Sequence, residues 1–264
     1  MKLSARLAAA LGVAAAFGLL WAGFGDSHPP SGTAAAVDAA SLPPAPDPAL
    51  EIGSPEKLSS SRFLSRWTSL RESALARVRP AAGARALARL RTTTPEGTAN
   101  VLAVLGAQPD ARGALWVKVR LSTLPIGSVG WVPREALGAY HTVSTRLVVD
   151  RQRLRATLYR DGRPVFAAPV GIGTDASPTP AGEFTVTSEL TRYASPFYGP
   201  IAFGTSARSA VLTDWPAGGF VGIHGTNAPD LVPGRISHGC IRMRNHDILR
   251  LAARMPVGTP LTIR

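Results

Sequence analysis

The segment from residue 224 to residue 240 reads "HGTNAPDLVPGRISHGC" and holds two of the five histidines and the only cysteine of the 264-residue chain. His238 lies two residues before Cys240, and His224 lies sixteen residues before it. A free thiol has a pKa of about 8.5 and is mostly protonated at neutral pH. A neighbouring imidazole can take its proton and give a thiolate and imidazolium pair. These residue types therefore predict a cysteine nucleophile with a histidine base.

Gly239 stands directly before this cysteine. An acyl intermediate needs backbone N–H donors about 3 Å from the developing oxyanion. A residue without a side chain lets a substrate carbonyl approach closely, so we expect the amides of Gly239 and Cys240 to serve as donors. If "ISHGCIRM" is a strand, Arg242 shares the face of Cys240 and is a candidate counter-ion for a substrate carboxylate. An ordinary surface ion pair is the alternative for Arg242.

A zinc site is a second interpretation of the same residues. Together, His224, His238, Cys240 and His246 offer four ligands of the types that zinc prefers. That site must recruit a helix residue and leaves Gly239 unexplained. A buried, inert thiol is a third possibility for a lone cysteine. We expect no metal and no cofactor.

Short strands must position these residues. "FVGIHG" predicts a strand that ends at His224, "ISHGCIRM" a second one with Cys240 near its centre, and 227–235 a loop that returns the chain. Further strands are predicted at "TRLVVD", "LRATLYR", "PVFAAPVGIG", "GEFTVTSE", "AVLTDW" and "PLTIR", with Asp161 and Gly162 as a hairpin turn. One helix is expected with Asn245 as its N-cap, Asp247 in its first turn and Arg250 and Arg254 in its last. His246 is then an ordinary first-turn residue.

The chain before residue 142 divides by composition. Residues 1–25 begin with Lys2 and Arg6 and continue uncharged from 7 to 25, as in an export signal or a retained membrane anchor. Residues 26–78 are predicted to be a Pro/Ala-rich tether ending in a helix over 63–78. Short strands with two tryptophans predict a small β domain at 79–141, and residues 142–264 form the second domain. The fold class is mainly β.

Charge and cysteine content limit the function further. The formal net charge is +12 and comes mostly from scattered arginines, which indicates a solvated basic surface or attraction to an anionic envelope polymer or membrane. Export separates the chain from the genome, so we expect no nucleic-acid partner. A single cysteine excludes an internal disulfide, so packing must provide the stability.

Two sets of motifs resemble known families. "HGT" at 224–226, "SHGCIRM" at 237–243, "RNHDILRL" behind it and "SPTPAGEF" at 177–184 together resemble the L,D-transpeptidase catalytic domain, also called YkuD. "LWVKVRLSTLPIGSVGWVPREAL" resembles bacterial SH3-like modules found beside cell-wall enzymes. A generic small β domain is the alternative for that stretch. The expected architecture is thus an SH3-like β-barrel followed by a mostly-β catalytic domain.

The resemblance implies an envelope enzyme that attacks the bond between a stem-peptide diamino acid and the terminal D-alanine, and joins two stems. Carried over onto this sequence, Cys240 is the nucleophile and His224 the general base and acid. The carbonyl of Gly225 orients the imidazole. His238 has a positioning or substrate-contact role, with a structural hydrogen bond as the alternative.

Further substrate contacts are expected from Gly239, Arg242, Tyr198 and Phe220. Tyr198 lies in the segment 189–204, which predicts either a flap over the acyl chain or an aromatic-anchored loop on the sheet. Hydrolysis of the same thioester, as in an L,D-carboxypeptidase, is the alternative reaction, and a non-catalytic wall-binding protein is the alternative class. Stem peptides are the expected partners of an exported monomer, with possible anchoring by residues 7–25.

Overall fold

The computed structural model describes residues 56–59, 64–191, 195–212 and 219–264. All of them belong to one compact unit, Leu50–Arg264. Two β-sheets and one α-helix form the described part of this unit, which confirms the mainly β fold class. The signal or anchor predicted at 1–25 and most of the tether lie outside the described residues. Within the described residues, no helix is long and apolar enough to cross a membrane.

The first sheet has eight strands. They are β1 (Glu56–Lys57), β2 (Ser65–Ser69), β3 (Ala74–Arg77), β4 (Ala86–Leu90), β5 (Val101–Pro109), β6 (Leu115–Arg120), β7 (Val129–Pro133) and β8 (His141–Val143). Their order is β4-β3-β7-β6-β5-β2-β8, with β1 also paired to β5. Alternate residues along β5 to β7, such as Val117 and Val119, point into a core of small aliphatic side chains. The SH3-like identity of this sheet remains a prediction.

The helix predicted over 63–78 is wrong. Residues 65–69 and 74–77 form β2 and β3, joined by a bend, and pair with β5 and β4. Apolar residues three or four apart fit a helix, but they also fit two short strands that each bury one or two residues. Cross-strand pairing and burial of Leu70 and Ala76 decide the outcome.

The second sheet has ten strands. They are β9 (Thr145–Asp150), β10 (Arg155–Arg160), β11 (Arg163–Pro169), β12 (Gly171–Gly173), β13 (Gly182–Leu190), β14 (Ala202–Thr205), β15 (Ile223–His224), β16 (Gly234–Ser237), β17 (Ile241–Arg242) and β18 (Pro260–Ile263). Their order is β11-β10-β9-β18-β13-β14-β15-β17-β12-β16. The predicted hairpin turn at Asp161 and Gly162 is confirmed, because it joins antiparallel β10 and β11 with positive φ angles of 50° and 78°.

The helix α1 (Asn245–Ala252) buries Ile248 and Leu251 in the core of the second sheet. Its N-cap is Arg244 rather than Asn245, and no side chain caps the N-terminus. The predicted cap is therefore wrong by one residue. The Asn245 amide oxygen instead accepts the backbone N–H of Thr226 at 2.9 Å, so it holds the chain just after His224.

Three other details differ from the predictions. Residues 210–212 of the expected strand "AVLTDW" are not in a strand, and 213–215 lie outside the described residues. Cys240 lies in the turn between β16 and β17, because Gly239 has a φ of +117° that breaks the extended backbone. The predicted boundary at 141/142 falls within β8, whose residues pair with β2 of the first sheet.

The two sheets pack against each other within the compact unit. A Cβ atom at Gly258 would lie 1.9 Å from the Trp67 ring, so this glycine permits the tryptophan of the first sheet to rest on the second. Ile126 packs against Gly182 in the same way, with only 3.2 Å available to an added Cβ atom. This packing places the first sheet beside the residues that the sequence marks as reactive.

Candidate active site

Parallel pairing of β15 and β17 brings the two halves of the motif together. His224 is in register with Arg242, the Ile241 N–H donates to the Gly222 carbonyl at 2.8 Å, and the Met243 N–H donates to the His224 carbonyl at 2.9 Å. Cys240 directly precedes β17 and therefore lies beside β15. The Gly222 N–H donates to its sulfur at 3.5 Å. The loop predicted at 227–235 thus returns the chain, although it ends before Gly234, where β16 begins.

The imidazole of His224 is only 2% exposed, and its Nδ1 lies 2.6 Å from the Gly225 carbonyl oxygen. A carbonyl can only accept, so Nδ1 carries the proton in this contact and Nε2 keeps a lone pair. Gly225 must be glycine, because a Cβ atom there would lie 2.4 Å from the Asn245 amide oxygen. The Tyr198 ring meets the imidazole edge-on at 4.8 Å. His224 is thereby held as one tautomer in one orientation.

Burial changes the charge states that the sequence predicts for this pair. Desolvation lowers the pKa of His224 to about 4, although the Gly225 hydrogen bond opposes this, and the Arg242 charge lowers it further. Desolvation also raises the pKa of the Cys240 thiol, against the Gly222 hydrogen bond and the Arg242 charge. Both directions favour a neutral thiol beside a neutral imidazole, rather than the expected ion pair, before substrate binds.

A network of hydroxyl groups fixes the turn that carries Cys240. Ser237 Oγ accepts the Gly239 N–H at 3.1 Å and donates to the Cys240 carbonyl at 2.6 Å. Thr179 Oγ1 donates to the Gly239 carbonyl at 2.7 Å and accepts the Gly173 N–H at 2.8 Å. The expectation that the Gly239 amide faces an oxyanion is therefore not met in this structure, since Ser237 occupies that donor.

Arg242 is 8% exposed, and its guanidinium carbon lies 4.5 Å from the centre of the Phe197 ring. Its Nε atom is buried and has no hydrogen-bond partner among the described residues. Because Cys240 precedes β17, the expected strand alternation does not relate these two side chains. They nevertheless line one small cavity together, along with His238 and Phe220.

Two cavities meet at the cysteine. The smaller, of about 60 Å³, contains Arg242 and His238 in its wall. The larger, of about 540 Å³, lies between the two sheets and is lined by residues of both. Tyr198, Phe220, His224 and Cys240 line both cavities, so an extended molecule in either one reaches the thiol. Cys240 is half-buried and accessible from them.

The zinc site considered from the sequence is not formed by the described residues. His246 lies on α1 and contacts the carboxylate of Asp247 at 2.9 Å. Across the described residues, no group of three or more His, Cys, Asp or Glu side chains is placed to hold a metal ion. The four zinc ligands considered from the sequence therefore do not form a cluster here. Tyr193 of the predicted flap lies outside the described residues.

Known proteins share this catalytic half of the chain. Residues 144–263 match the family model of the YkuD L,D-transpeptidase catalytic domain. The YkuD protein of Bacillus licheniformis is 33% identical over 122 residues, which are 46% of this chain and 67% of the relative. YkuD of Bacillus subtilis is 31% identical over 123 residues, 47% of this chain and 68% of that protein. This chain belongs to the YkuD family of L,D-transpeptidases.

Other known proteins are similar to about the same share of this chain. YbiS of Escherichia coli is 32% identical over 136 residues, 45% of this chain and 44% of that protein. The solved catalytic domain of an Enterococcus faecium L,D-transpeptidase is 25% identical and covers 46% of this chain and 96% of that one, with a TM-score of 0.36. Residues before 144 lie outside the family model, so the first sheet has to be understood from its own contacts.

Sequence reasoning missed three residues that shape the site: Thr179, Ser237 and Asn245. Thr179 and Ser237 lie inside the motifs quoted above. They matter because their hydroxyl groups bind the backbone carbonyl and N–H of Gly239, respectively. Asn245 opens the predicted helix, which drew attention to capping. Phe197 lies in the predicted flap segment, but its contact with Arg242 was not predicted. The one signal in the sequence was a short hydroxyl side chain, Ser237, two residues before Gly239.

Proposed function

We propose that this YkuD-family chain is a cysteine acyltransferase that joins peptidoglycan stem peptides and releases terminal D-alanine. The observation that supports this most directly is the 2.6 Å contact between His224 Nδ1 and the Gly225 carbonyl beside Cys240. It leaves Nε2 as the proton acceptor on an imidazole that cannot rotate. Cys240, His224 and Gly225 are the proposed catalytic residues.

In the first half of the reaction, the Cys240 sulfur attacks the carbonyl carbon of the bond before D-alanine, and its proton moves to His224 Nε2. The neutral ground state means that proton transfer accompanies the attack rather than preceding it. The tetrahedral intermediate then collapses, the C–N bond breaks, and His224 returns the proton to the departing amine. A thioester on Cys240 and free D-alanine result.

The developing oxyanion needs donors near the turn at Gly239. The Cys240 N–H is the proposed donor, held in place by the Ser237 and Thr179 hydrogen bonds on either side. Gly239 itself contributes conformation, since its φ of +117° is one that side chains rarely adopt. Gly239 therefore permits the turn, and its own N–H donates to Ser237 Oγ.

In the second half, the side-chain amine of another stem attacks the thioester and gives its proton to His224, which returns it to the sulfur. Water in place of the amine would make the protein an L,D-carboxypeptidase. Arg242 is the proposed partner of a donor carboxylate, because its buried Nε has no hydrogen-bond partner in the described part of the chain. His238, Tyr198 and Phe220 are proposed substrate contacts, because all three line the small cavity with Cys240.

We further propose the domain organisation and location that the sequence predicts. Residues 1–25 direct export, and they are either cleaved off or retained as an anchor. Residues 26–78 include a tether, and β2 and β3 take the place of the helix predicted at its end. The SH3-like domain predicted at 79–141 also includes β2, β3 and β8 of the same sheet, so its proposed extent is Ser65 to Val143, and it precedes the catalytic domain. The protein acts as a monomer in the cell envelope.

Intact-mass measurement after exposure to a carbapenem tests the nucleophile. The wild type should gain one covalent adduct and Cys240→Ala none. His224→Gln keeps the only thiol and should acylate at least about 100-fold more slowly, the usual contribution of general acid/base catalysis. Both thiol-containing proteins should alkylate equally once unfolded. An equal adduct on Cys240→Ala would refute the assignment.

A second measurement separates transfer from hydrolysis and from zinc binding. Mass analysis of muropeptide products should show a cross-linked dimer and one D-alanine per turnover; a shortened monomer alone would favour the carboxypeptidase. Alkylation of Cys240 should proceed equally with and without a chelator. Protection that disappears on chelation would show a zinc thiolate instead.

A further inference from the structure

The larger cavity is bounded by a strand that belongs to neither half of the catalytic motif. Its wall includes the consecutive residues Ala88, Arg89, Leu90 and Arg91, which form the end of β4 and the residue after it. The same cavity is lined by His224 and Cys240. The first sheet therefore contributes directly to the space in front of the thiol.

Four consecutive residues on one cavity wall indicate how β4 is oriented. Side chains alternate between the two faces of a strand, so one face alone would present only every second residue. The edge of the strand presents both sets, together with its main chain. β4 is also the outermost strand in the order of the first sheet as the structure describes it, with β3 on its other side. The unpaired edge of β4 thus faces the cavity.

The charge of this wall is positive. Among the described residues, Arg89, Arg91 and Arg208 line the cavity, and Glu96 is the one carboxylate there. The first two are exposed, whereas Arg208 stacks on Phe220 and donates to the Ser122 carbonyl. An anionic ligand is therefore favoured over a neutral or basic one.

The chain after β4 is fixed in a way that preserves this edge. Asn100 donates from its backbone N–H to the Thr92 carbonyl and from its side chain to the Arg91 carbonyl, each at 2.8 Å. These bonds end the strand at a defined point beside the cavity, and among the described strands β4 pairs only with β3. An edge held this way is a template for one more strand.

We propose that β4 binds the peptide of the substrate as an added strand, with Arg89 and Arg91 reading its carboxylates, so that the peptide extends toward Cys240. The proposal rests on the proposed function for the identity of the ligand, an anionic stem peptide. An extended tetrapeptide spans about 13 Å, within the roughly 16 Å of a five-residue strand. The first sheet is then part of the specificity of the enzyme rather than only a neighbouring module.

Charge reversal at the wall tests the arginines. Arg89→Glu and Arg91→Glu should each raise the KM of a tetrapeptide donor about 10-fold, as expected for losing a charge-assisted contact. Their alkylation by a small neutral thiol reagent should stay unchanged. Arg85→Glu is the matched control, because Arg85 is exposed just before β4 and does not line the cavity. Equal effects at all three positions, or none at 89 and 91, would overturn the proposal.

Strand addition has a separate test in the ligand. A tetrapeptide with one backbone amide N-methylated should bind about 10-fold more weakly for at least one methylated position, because a ladder hydrogen bond is lost. Hydrogen exchange of residues 86–91 should slow when the unmodified peptide binds. Normal affinity for every methylated peptide, with no protection of β4, would refute strand addition even if the arginines matter.

Calorimetry on Cys240→Ala separates this proposal from the proposed reaction. Binding of the tetrapeptide to this variant, weakened by Arg91→Glu, would support the docking strand even if the wild type released no D-alanine. In that case the proposed acyl transfer would be refuted and the proposed docking strand supported. If the wild type turns over the tetrapeptide, and neither Arg89→Glu, Arg91→Glu nor N-methylation of the peptide changes the KM, the reaction would be established and the docking strand rejected.

Discussion

Acidification should reveal the buried neutral imidazole of His224 as a loss of stability. Its pKa falls from 6.5 to about 4 on folding, so the unfolded chain binds the proton more readily between these values. The free energy of unfolding therefore decreases as pH falls from about 6.5 toward 4 and the His224 contribution levels off below that. At about 1.4 kcal/mol per pKa unit, the linkage relation gives about 2.5 kcal/mol between pH 7.5 and 4.5. This stability is fully present above pH 6.5.

Urea denaturation of the wild type and His224→Gln across this pH range isolates the contribution from other titrating groups. The stability difference between the two proteins should change by about 2.5 kcal/mol, with the wild type losing more on acidification. His141→Gln is the control for loss of an exposed histidine, because His141 lies in β8 and does not line either cavity of the site as the structure describes them. A difference between wild type and His224→Gln that stays constant to within about 0.5 kcal/mol would show that His224 is not held neutral by burial.

The acylation rate with a carbapenem should stay level from pH 7 to about 5 and fall with a midpoint near 4, the pKa of the His224 base; a midpoint near 6.5 would contradict the burial argument. Arg242→Lys should lower turnover of a tetrapeptide donor about 10-fold while a small uncharged thiol reagent reacts normally, because lysine cannot form two parallel hydrogen bonds to a carboxylate. Equal loss of both rates would make Arg242 structural. Thr179→Val should reduce the free energy of unfolding by about 2 to 3 kcal/mol, since it leaves two buried backbone groups unpaired. Thr157→Val, on partly exposed β10, is its control, and an equal loss in both would refute the role of the network.

Local patterns predicted most strands of the second sheet because each carries its own signal. Alternating apolar residues in "LRATLYR" and the Asp161–Gly162 pair determine a hairpin without help from distant chain. The helix at 245–252 was also predicted from local signals, an acidic residue in its first turn and a basic residue in its last. The segment 63–78 failed because its spacing suits both structures, and pairing with β5, more than thirty residues away along the chain, decides between them.

The site shows the same division. The sequence by itself determined which residues carry the chemistry: a lone thiol at Cys240, a histidine sixteen residues earlier, and a glycine whose lack of a side chain allows the turn. Their types and order are local properties and need no coordinates. The YkuD resemblance follows from the same letters.

Only the tertiary structure decided the charge state of the pair and the wall opposite it. The neutral forms of Cys240 and His224 result from desolvation, which depends on how much of the chain packs around them. The edge of β4 along the larger cavity likewise brings together residues that are distant in sequence. Packing of two sheets sets these features, and no pattern of neighbouring residues encodes a contact between sheets.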